Sequence, residues 1–189
     1  AYLNRNRDWL AERAEAAVGR KITFGEVGVG LRHGLAVQVQ DLAVADDATF
    51  SEEPVLRTRS ASVRIRLLPA LFGRYEIARV VLEHPVINVV RTKHGLNLAT
   101  FGARPSEAGE PSGAGGAGAA VAGAYASVDS GSIHYVDRSR APAVRADLDD
   151  IDFTASDVRL DRDLAFELSA AALGAREQNV HVEGSVGPL

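Results

Sequence analysis

The sequence contains no cysteine and no methionine, and its only aromatic residues are one Trp, four Tyr and six Phe. Without cysteine there can be no disulfide framework, no cysteine-based zinc site and no thiol nucleophile. A β-sandwich is normally anchored by several large aromatic side chains, so their scarcity argues against a filled sandwich core. No apolar run approaches the roughly 20 residues that span a bilayer as a helix, and no signal peptide is visible.

The common catalytic motifs are absent as well. There is no nucleophile elbow, no Ser–His–Asp order, no dinucleotide fingerprint, and no Lys-Ser/Thr after the glycine-rich segment to make a phosphate-binding loop. The histidines show no H-x-x-x-H or H-x-H spacing, which argues against a metal site. Asp147, Asp149 and Asp150 lie in a strand pattern, where charged side chains protect edges from aggregation, and do not match a calcium loop. The sequence therefore predicts a protein that is not an enzyme, with no cofactor, no metal and no nucleic-acid partner.

The stretch "VVLEHPVINVVRTKHGLNLATF" contains two of the five histidines, His84 and His94, beside carboxamide and carboxylate side chains. Pro85 is tolerated at the start of a strand because no ladder donor is needed there. In "KHGLN", Gly95 can adopt positive φ and Asn97 can bond the local backbone. These features favour two strands and a turn over a catalytic or metal cluster.

One amphipathic helix is predicted at residues 1–20. Its apolar residues recur with a period of 3.6, and Gly19 then supplies a C-cap with Arg20 and Lys21 at the negative end of the helix dipole. Trp9 and Leu10 beside Arg5 and Arg7 suit a membrane interface, so we expect this helix to be membrane-proximal and to cap one end of the fold.

After residue 20 the pattern has period two, which is typical of antiparallel strands with one apolar face. In "SASVRIRL" the apolar positions alternate with Ser62, Arg64 and Arg66, and similar alternation recurs in "LAFELSAAA" and "NVHVEGSV". The apolar phase slips by one residue between Val39 and Leu42 and between Leu148 and Ile151. A slip of one residue exchanges the two faces, so we expect a β-bulge at each of these points.

Residues 102–126 separate two β blocks, 21–101 and 127–189. The stretch 102–125 holds 7 glycines and 8 alanines, a composition typical of a flexible linker. We expect the second block to be truncated and the chain to be a fragment. Because the inward positions are mostly Val, Ile, Leu and Ala, the predicted fold is mainly β: a curled antiparallel sheet forming an open, taco-like apolar groove.

Three motifs carry a resemblance to a known family. Gly19-Arg20 ends the first helix, "LLPALFG" (67–73) forms an apolar corner, and a P-x-I-x-V-x-R…G-x-N hairpin follows at Pro85, Ile87, Val89, Arg91, Gly95 and Asn97. In this order they resemble the N-terminal region of the AsmA family, which is similar to the chorein-type bridge proteins. The resemblance covers residues 15–101 well and 127–189 moderately.

This resemblance implies a lipid-transport module for phospholipid. It would be held at the bacterial inner membrane by a missing N-terminal transmembrane helix, would lie in the periplasm, and would serve outer membrane biogenesis, with other envelope proteins as further partners. The alternative is a structural or assembly factor of the envelope whose groove is a closed hydrophobic core.

The residues predicted to line the groove share the apolar phase of their strands, and Arg64, Arg66 and Arg91 are expected to face water. The lining residues are Ala61, Val63, Ile65, Leu67, Ile77, Val80, Leu82, Ile87, Val89, Val144, Leu148, Phe166, Leu168, Val180 and Val182.

Overall fold

The computed structural model describes residues 11–12, 14–15, 18–30, 35–66, 76–100, 124–158 and 163–187. The described residues between 11 and 18 are helical, and the Gly19 amide donates to the Glu15 carbonyl at 2.7 Å. Gly19 itself has φ of 73°, the left-handed conformation that commonly ends a helix and that glycine adopts without steric cost. The C-cap predicted from the sequence is confirmed.

All eleven strands of the described chain belong to one curled sheet. Their bounds are β1 Ile22–Thr23, β2 Val27–Gly30, β3 Leu35–Val44, β4 Leu56–Ile65, β5 Ile77–Glu83, β6 Val86–Thr92, β7 Gly95–Leu96, β8 Ala124–Asp137, β9 Val144–Val158, β10 Leu164–Ala172 and β11 Val180–Val186, with a 3-10 helix over Asn97–Thr100. The predicted mainly β, curled-sheet fold is therefore confirmed. Most of the predicted linker, 102–126, lies outside the described residues. Its last three residues, 124–126, belong to β8, which begins at Ala124.

The sheet order is β1–β3–β4–β5–β8–β9–β10–β11, with β2 also paired to β3, and β6 paired to β4, β7 and β8. β5 and β6 are consecutive and both lie between β4 and β8, so together they act as one long strand that is interrupted at His84 and Pro85. The strand break that the sequence predicts at this point is confirmed.

The two β blocks join through parallel pairing, which the sequence analysis did not predict. β5 and β6 both run parallel to β8, whereas every other described pairing is antiparallel. The expectation of a wholly antiparallel sheet is therefore wrong at this junction. Parallel neighbours need a crossover connection of about a dozen residues or more, and residues 101–123 provide that length between the two blocks.

A row of irregular residues crosses the sheet and is called the bulge row here. It consists of Asp41, His84, Ser130 and Asp150, which have φ of 49–50°. They come into line because their neighbours pair: Gln40 opposes Ser60, Ser60 opposes Glu83, and Glu83 opposes Asp129. The bulge row divides the sheet into a β5 half, which contains β2, β5 and β11, and a β6 half, which contains β1, β6 and β7.

At the bulge row some backbone groups do not form hydrogen bonds with the neighbouring strand, and side chains bond to two of them instead. The Ser130 amide donates to the Asp152 carboxylate at 3.0 Å, and the Gln178 amide group donates to the Asp150 carbonyl at 2.8 Å. Backbone N–H and C=O groups are strong hydrogen-bonding groups, so these two exposed contacts support the irregular backbone in β8 and β9. The bulge predicted in β9 is confirmed at Asp150, where the register between β9 and β10 shifts by one residue. In β3 the backbone is irregular at Asp41, but the register with β4 is unbroken there, so the predicted extra residue is absent.

Candidate functional site

One side of the sheet carries the candidate site, an apolar surface called the apolar face here. In the β5 half, strand register places apolar residues opposite one another from edge to edge: Val37 opposes Val63, Val63 opposes Val80, and Val80 opposes Ala126. The series continues through Val128, Phe153, Leu168 and Val182, each paired with the next. Paired residues point to the same side of a sheet, so this half presents one continuous apolar surface.

The β6 half continues the same surface. Leu56 opposes Ile87, Ile87 opposes Ile133, and Ile133 opposes Leu148. A cavity of about 150 Å³ joins the two halves, because it is lined by Ile87, Ile133 and Ile151 together with Val128, Phe153 and Leu168 of the β5 half. At the bulge row the alternation of side chains is interrupted, and as a result the apolar residues of both halves lie on the same side of the sheet.

The register places the residues predicted to line the groove on this face. In the β5 half these are Ala61, Val63, Ile65, Ile77, Val80, Leu82, Phe166, Leu168, Val180 and Val182, and in the β6 half they are Ile87, Val89, Val144 and Leu148. Leu67, Arg5, Arg7, Trp9 and Leu10 lie outside the described residues.

The apolar face is partly accessible to solvent, although Ile151, Ala155 and Ala170 on it are 5%, 3% and 1% exposed. Along its centre, side chains such as Val63, Val80 and Leu168 are half-buried. At its margins Val29, Val144, Val182 and Val186 are 43–48% exposed. A packed interior would instead contain many large apolar side chains that are fully buried, as Val44 and Val55 are, at 3% and 1% exposed.

The fully buried apolar residues Ile22, Val44 and Val55 form a cluster near one end of the face, in the β6 half. Ala14 and Val18 of the N-terminal helical segment pack against this cluster, in agreement with the apolar stripe predicted for that helix. The segment therefore covers one end of the sheet, while its proximity to a membrane stays a prediction.

The opposite side of the sheet is polar in the β5 half. Arg64 opposes Arg79, and the Arg79 guanidinium lies 4.3 Å from the centre of the Tyr125 ring. This contact is a cation–π interaction that offsets some of the repulsion between the two arginines. Arg66 and Arg91 are exposed, so they face water as predicted, although Arg91 continues the phase of Ile87 and Val89.

A buried polar network joins three parts of the chain at the β6 end of the sheet. The Arg20 guanidinium is paired with the Asp46 carboxylate at 3.1 Å, and the Asn97 side-chain amide donates to the same carboxylate at 2.6 Å. Asn97 also donates to the Asn88 carbonyl at 2.8 Å and accepts from the Val90 amide at 3.0 Å. Arg20 and Asn97 both belong to the motifs that carry the family resemblance.

Sequence reasoning identified only part of this network. The backbone role of Asn97 is confirmed, but Asp46 was missed because it lies in a loop with no periodic pattern. Val90 was missed too: it is 4% exposed and lies on the side opposite the apolar face, where residues 51–55 approach β6. The Asn88 side chain holds the loop of residues 51–55 against β6 by donating a hydrogen bond to the Pro54 carbonyl at 2.8 Å.

Two aspartates near the β6 half have lowered pKa values. The Ser139 hydroxyl and then the Ser139 amide donate to Asp137, and these hydrogen bonds lower the pKa of its carboxyl group; Arg91 lowers it further. The amide and hydroxyl of Thr49 lower the pKa of Asp47 in the same way. Hydrogen bonds to the charged form favour ionisation. Both carboxylates therefore stabilise their turns in the ionised form.

Two of the described histidines, His84 and His94, take the structural positions predicted for them. His84 lies at the break between β5 and β6, and His94 lies in the two-residue turn between β6 and β7, where Gly95 has φ of 122°. His134 and His181 lie on the polar side of β8 and β11; the His134 ring is 2.9 Å from the Asp147 carboxylate.

No family model matches the chain, and no curated protein matches it either. Among the described residues, no helix combines the length and apolar character needed to cross a membrane. The AsmA resemblance therefore stays a prediction that depends on the motifs named above.

Proposed function

We propose that this chain is a non-enzymatic lipid-handling module of the bacterial envelope, related to the AsmA family. In this proposal the apolar face shelters the acyl chains of a phospholipid during transport between the inner and outer membranes. The protein would lie in the periplasm, anchored to the inner membrane by a preceding transmembrane helix, and would meet other envelope proteins there.

The observation that carries the proposal is an apolar face that is continuous across the sheet and only half-buried along its centre. Exposed apolar patches of this kind mark sites for apolar ligands or partners. Each methylene group removed from water contributes about 0.8 kcal/mol, so a single acyl chain lying along the face would be held by several kcal/mol.

The test is to measure the phospholipid that co-purifies with the protein, by organic extraction and mass spectrometry. Ile65→Asp and Val89→Asp each place a carboxylate on the apolar face, where an acyl chain would have to desolvate it. We expect both variants to retain their β-type circular dichroism and to lose the bound lipid.

Ser62→Asp is the matched control for Ile65→Asp, because Ser62 lies on the polar side of the same strand. It should keep the full lipid load. If the wild-type protein carries no lipid after purification under gentle conditions, the proposal is contradicted. It is also contradicted if the Ile65→Asp variant keeps its lipid. Unfolding of both apolar-face variants would favour the alternative, an envelope scaffold or assembly factor with a closed core.

A further inference from the structure

Three side chains converge on the polar side of the sheet where β10 pairs with β11. They are Glu167, His181 and Glu183, and one ligating atom from each lies within 4.8 Å of the other two. The His181 Nε2 atom is 3.0 Å from Glu183 Oε1. All three residues are exposed, so solvent and ions reach them freely.

The charges of this cluster are unbalanced. Glu167 and Glu183 occupy directly opposed positions in the β10–β11 ladder, and like charges at opposed positions destabilise a sheet. The next residues on the same side are also not basic: Thr154 opposes Glu167, while Asp152 opposes Ser169 in the adjacent row. Along these rows of the ladder, no lysine or arginine neutralises the two carboxylates, and a bound cation would do so.

His181 is oriented by a second contact that resembles the support given to metal ligands. Ser169 opposes His181 in the ladder, and its Oγ atom is 2.9 Å from His181 Nδ1. Without a cation, the 3.0 Å contact between His181 Nε2 and Glu183 Oε1 needs a proton between the two atoms. A bound cation would replace that proton at Nε2, and the proton on Nδ1 would then be donated to the Ser169 hydroxyl. Metal-binding histidines are usually held in this manner by a hydrogen bond at the other ring nitrogen.

We propose that Glu167, His181 and Glu183 bind a divalent transition-metal cation, with Zn²⁺ the best match. An imidazole and two carboxylates are ligands that zinc accepts, and the fourth position would be taken by water. Zinc bonds of about 2.0–2.2 Å place tetrahedral ligand atoms roughly 3.3–3.6 Å apart, which small rotations of these exposed side chains can reach. Because all three side chains are exposed, water has free access to the fourth position.

The consequence for the fold is a cross-strand staple. β11 is the outermost described strand on its side of the sheet, and it pairs with β10 alone among the described strands. Two ligands from β11 and one from β10 would fix the register of this pair, because the metal holds Glu167 opposite Glu183. The sequence alone does not indicate this site, since Glu167 becomes a neighbour of His181 only through strand pairing.

The experiment is isothermal titration of the tag-free protein, freed of metal with chelator, with Zn²⁺ at pH 7.4. We expect one saturable site per chain, and a melting temperature that rises with Zn²⁺ but not with the same concentration of Mg²⁺. Glu167→Gln, His181→Ala and Glu183→Gln should each weaken Zn²⁺ binding at least tenfold, and Ser169→Ala should weaken it less.

Glu53→Gln and His134→Ala are the matched controls, because both residues lie elsewhere in the described structure, Glu53 in an exposed loop and His134 beside Asp147. Neither should change the affinity. Absence of saturable Zn²⁺ binding would overturn the proposal. Binding that survives in His181→Ala, or that is lost in His134→Ala instead, would overturn it too. Circular dichroism of each variant shows whether a loss of binding reflects unfolding, and the test does not depend on whether the apolar face carries lipid.

Discussion

Asn97 connects parts of the chain that are far apart in sequence. Its side chain contacts Asp46, the Asn88 carbonyl and the Val90 amide, and it is completely buried. Its own carbonyl accepts a longer hydrogen bond of 3.4 Å from Arg20. A side chain with this many buried partners fixes the hairpin after β6 against the loop after β3, so we expect its removal to affect stability more than an exposed asparagine does.

We predict that Asn97→Ala lowers the free energy of unfolding by about 3 kcal/mol, because buried partners left without a hydrogen bond cost roughly 1–3 kcal/mol each. Urea denaturation measures the change. Asn179→Ala is the control: Asn179 bonds the Ala172 amide and carbonyl but is exposed, so water replaces its contacts. Equal losses in the two variants would contradict a buried network.

Asp137 should make stability depend on pH. Hydrogen bonds from Ser139 lower its pKa in the folded state, whereas an unfolded aspartate has a pKa of about 3.9. A group whose pKa falls on folding contributes stability that is fully present above the unfolded pKa and is lost as the pH falls through the folded pKa.

We therefore expect Asp137→Asn to be less stable than the wild type at pH 7, with the difference shrinking as the pH falls below about 4. Denaturation by urea at pH 7 and pH 3 measures both values. Asp149→Asn, which alters an exposed aspartate of β9, should show little difference at either pH. An Asp137→Asn deficit that is the same at both pH values would show that its hydrogen bonds, and not its charge, matter.

At the scale of elements, the bulge row determines on which side of the sheet the side chains of each strand lie. Each of its residues adopts a conformation that interrupts the alternation of side chains, and the interruptions lie next to one another in β3, β8 and β9. When the alternation of side chains is interrupted at adjacent positions in neighbouring strands, the apolar residues stay on one side of the sheet, and the sheet bends at those positions. Gly131 follows this line in β8, where it is buried against Val128 and Pro85.

We predict that Gly131→Ala destabilises the protein by about 1–3 kcal/mol, the usual cost of overpacking. A Cβ at this position would lie 2.8 Å from Val128 Cγ1 and 3.2 Å from Pro85 Cγ. Gly30→Ala in β2 is the control, since a Cβ there meets no atom within 4 Å, and it should be neutral or slightly stabilising. Thermal unfolding compares the two; a neutral Gly131→Ala would mean that the bulge row is loosely packed.

The elements differ in how far the sequence could predict them. Alternation in β4 and β10 is local, so the apolar positions from Ala61 to Ile65 and from Phe166 to Leu168 could be read directly. The slips near Asp41 and Asp150 were visible because apolar residues flank them. The parallel pairing of β5 and β6 with β8 was not predictable, because it depends on where a long connection returns the chain to the sheet, and no local pattern encodes that.

For the whole molecule, the distribution of burial separates an open sheet face from a filled interior. Val44 is 3% exposed within the buried cluster, whereas Val80 is half-buried at the centre of the apolar face and Val81 lies beside it on the polar side. If the face is open, a carboxylate at position 80 can reach water by a small rotation. At position 44 it cannot, and an ionised group held away from water without a partner is very costly.

We predict that Val44→Asp prevents folding and that Val80→Asp stays folded with a loss of about 1–2 kcal/mol. Val81 is also half-buried but lies beside Ser62 and Ser127 on the polar side, so we expect Val81→Asp to cost less than Val80→Asp. Circular dichroism and thermal melting of the three variants measure this order. The comparison between positions 80 and 81 is the decisive one, because the two residues share a strand and differ in the side of the sheet that they face. Val80→Asp as unfolded as Val44→Asp would mean that the interior closes on itself, leaving no surface on which an acyl chain could lie.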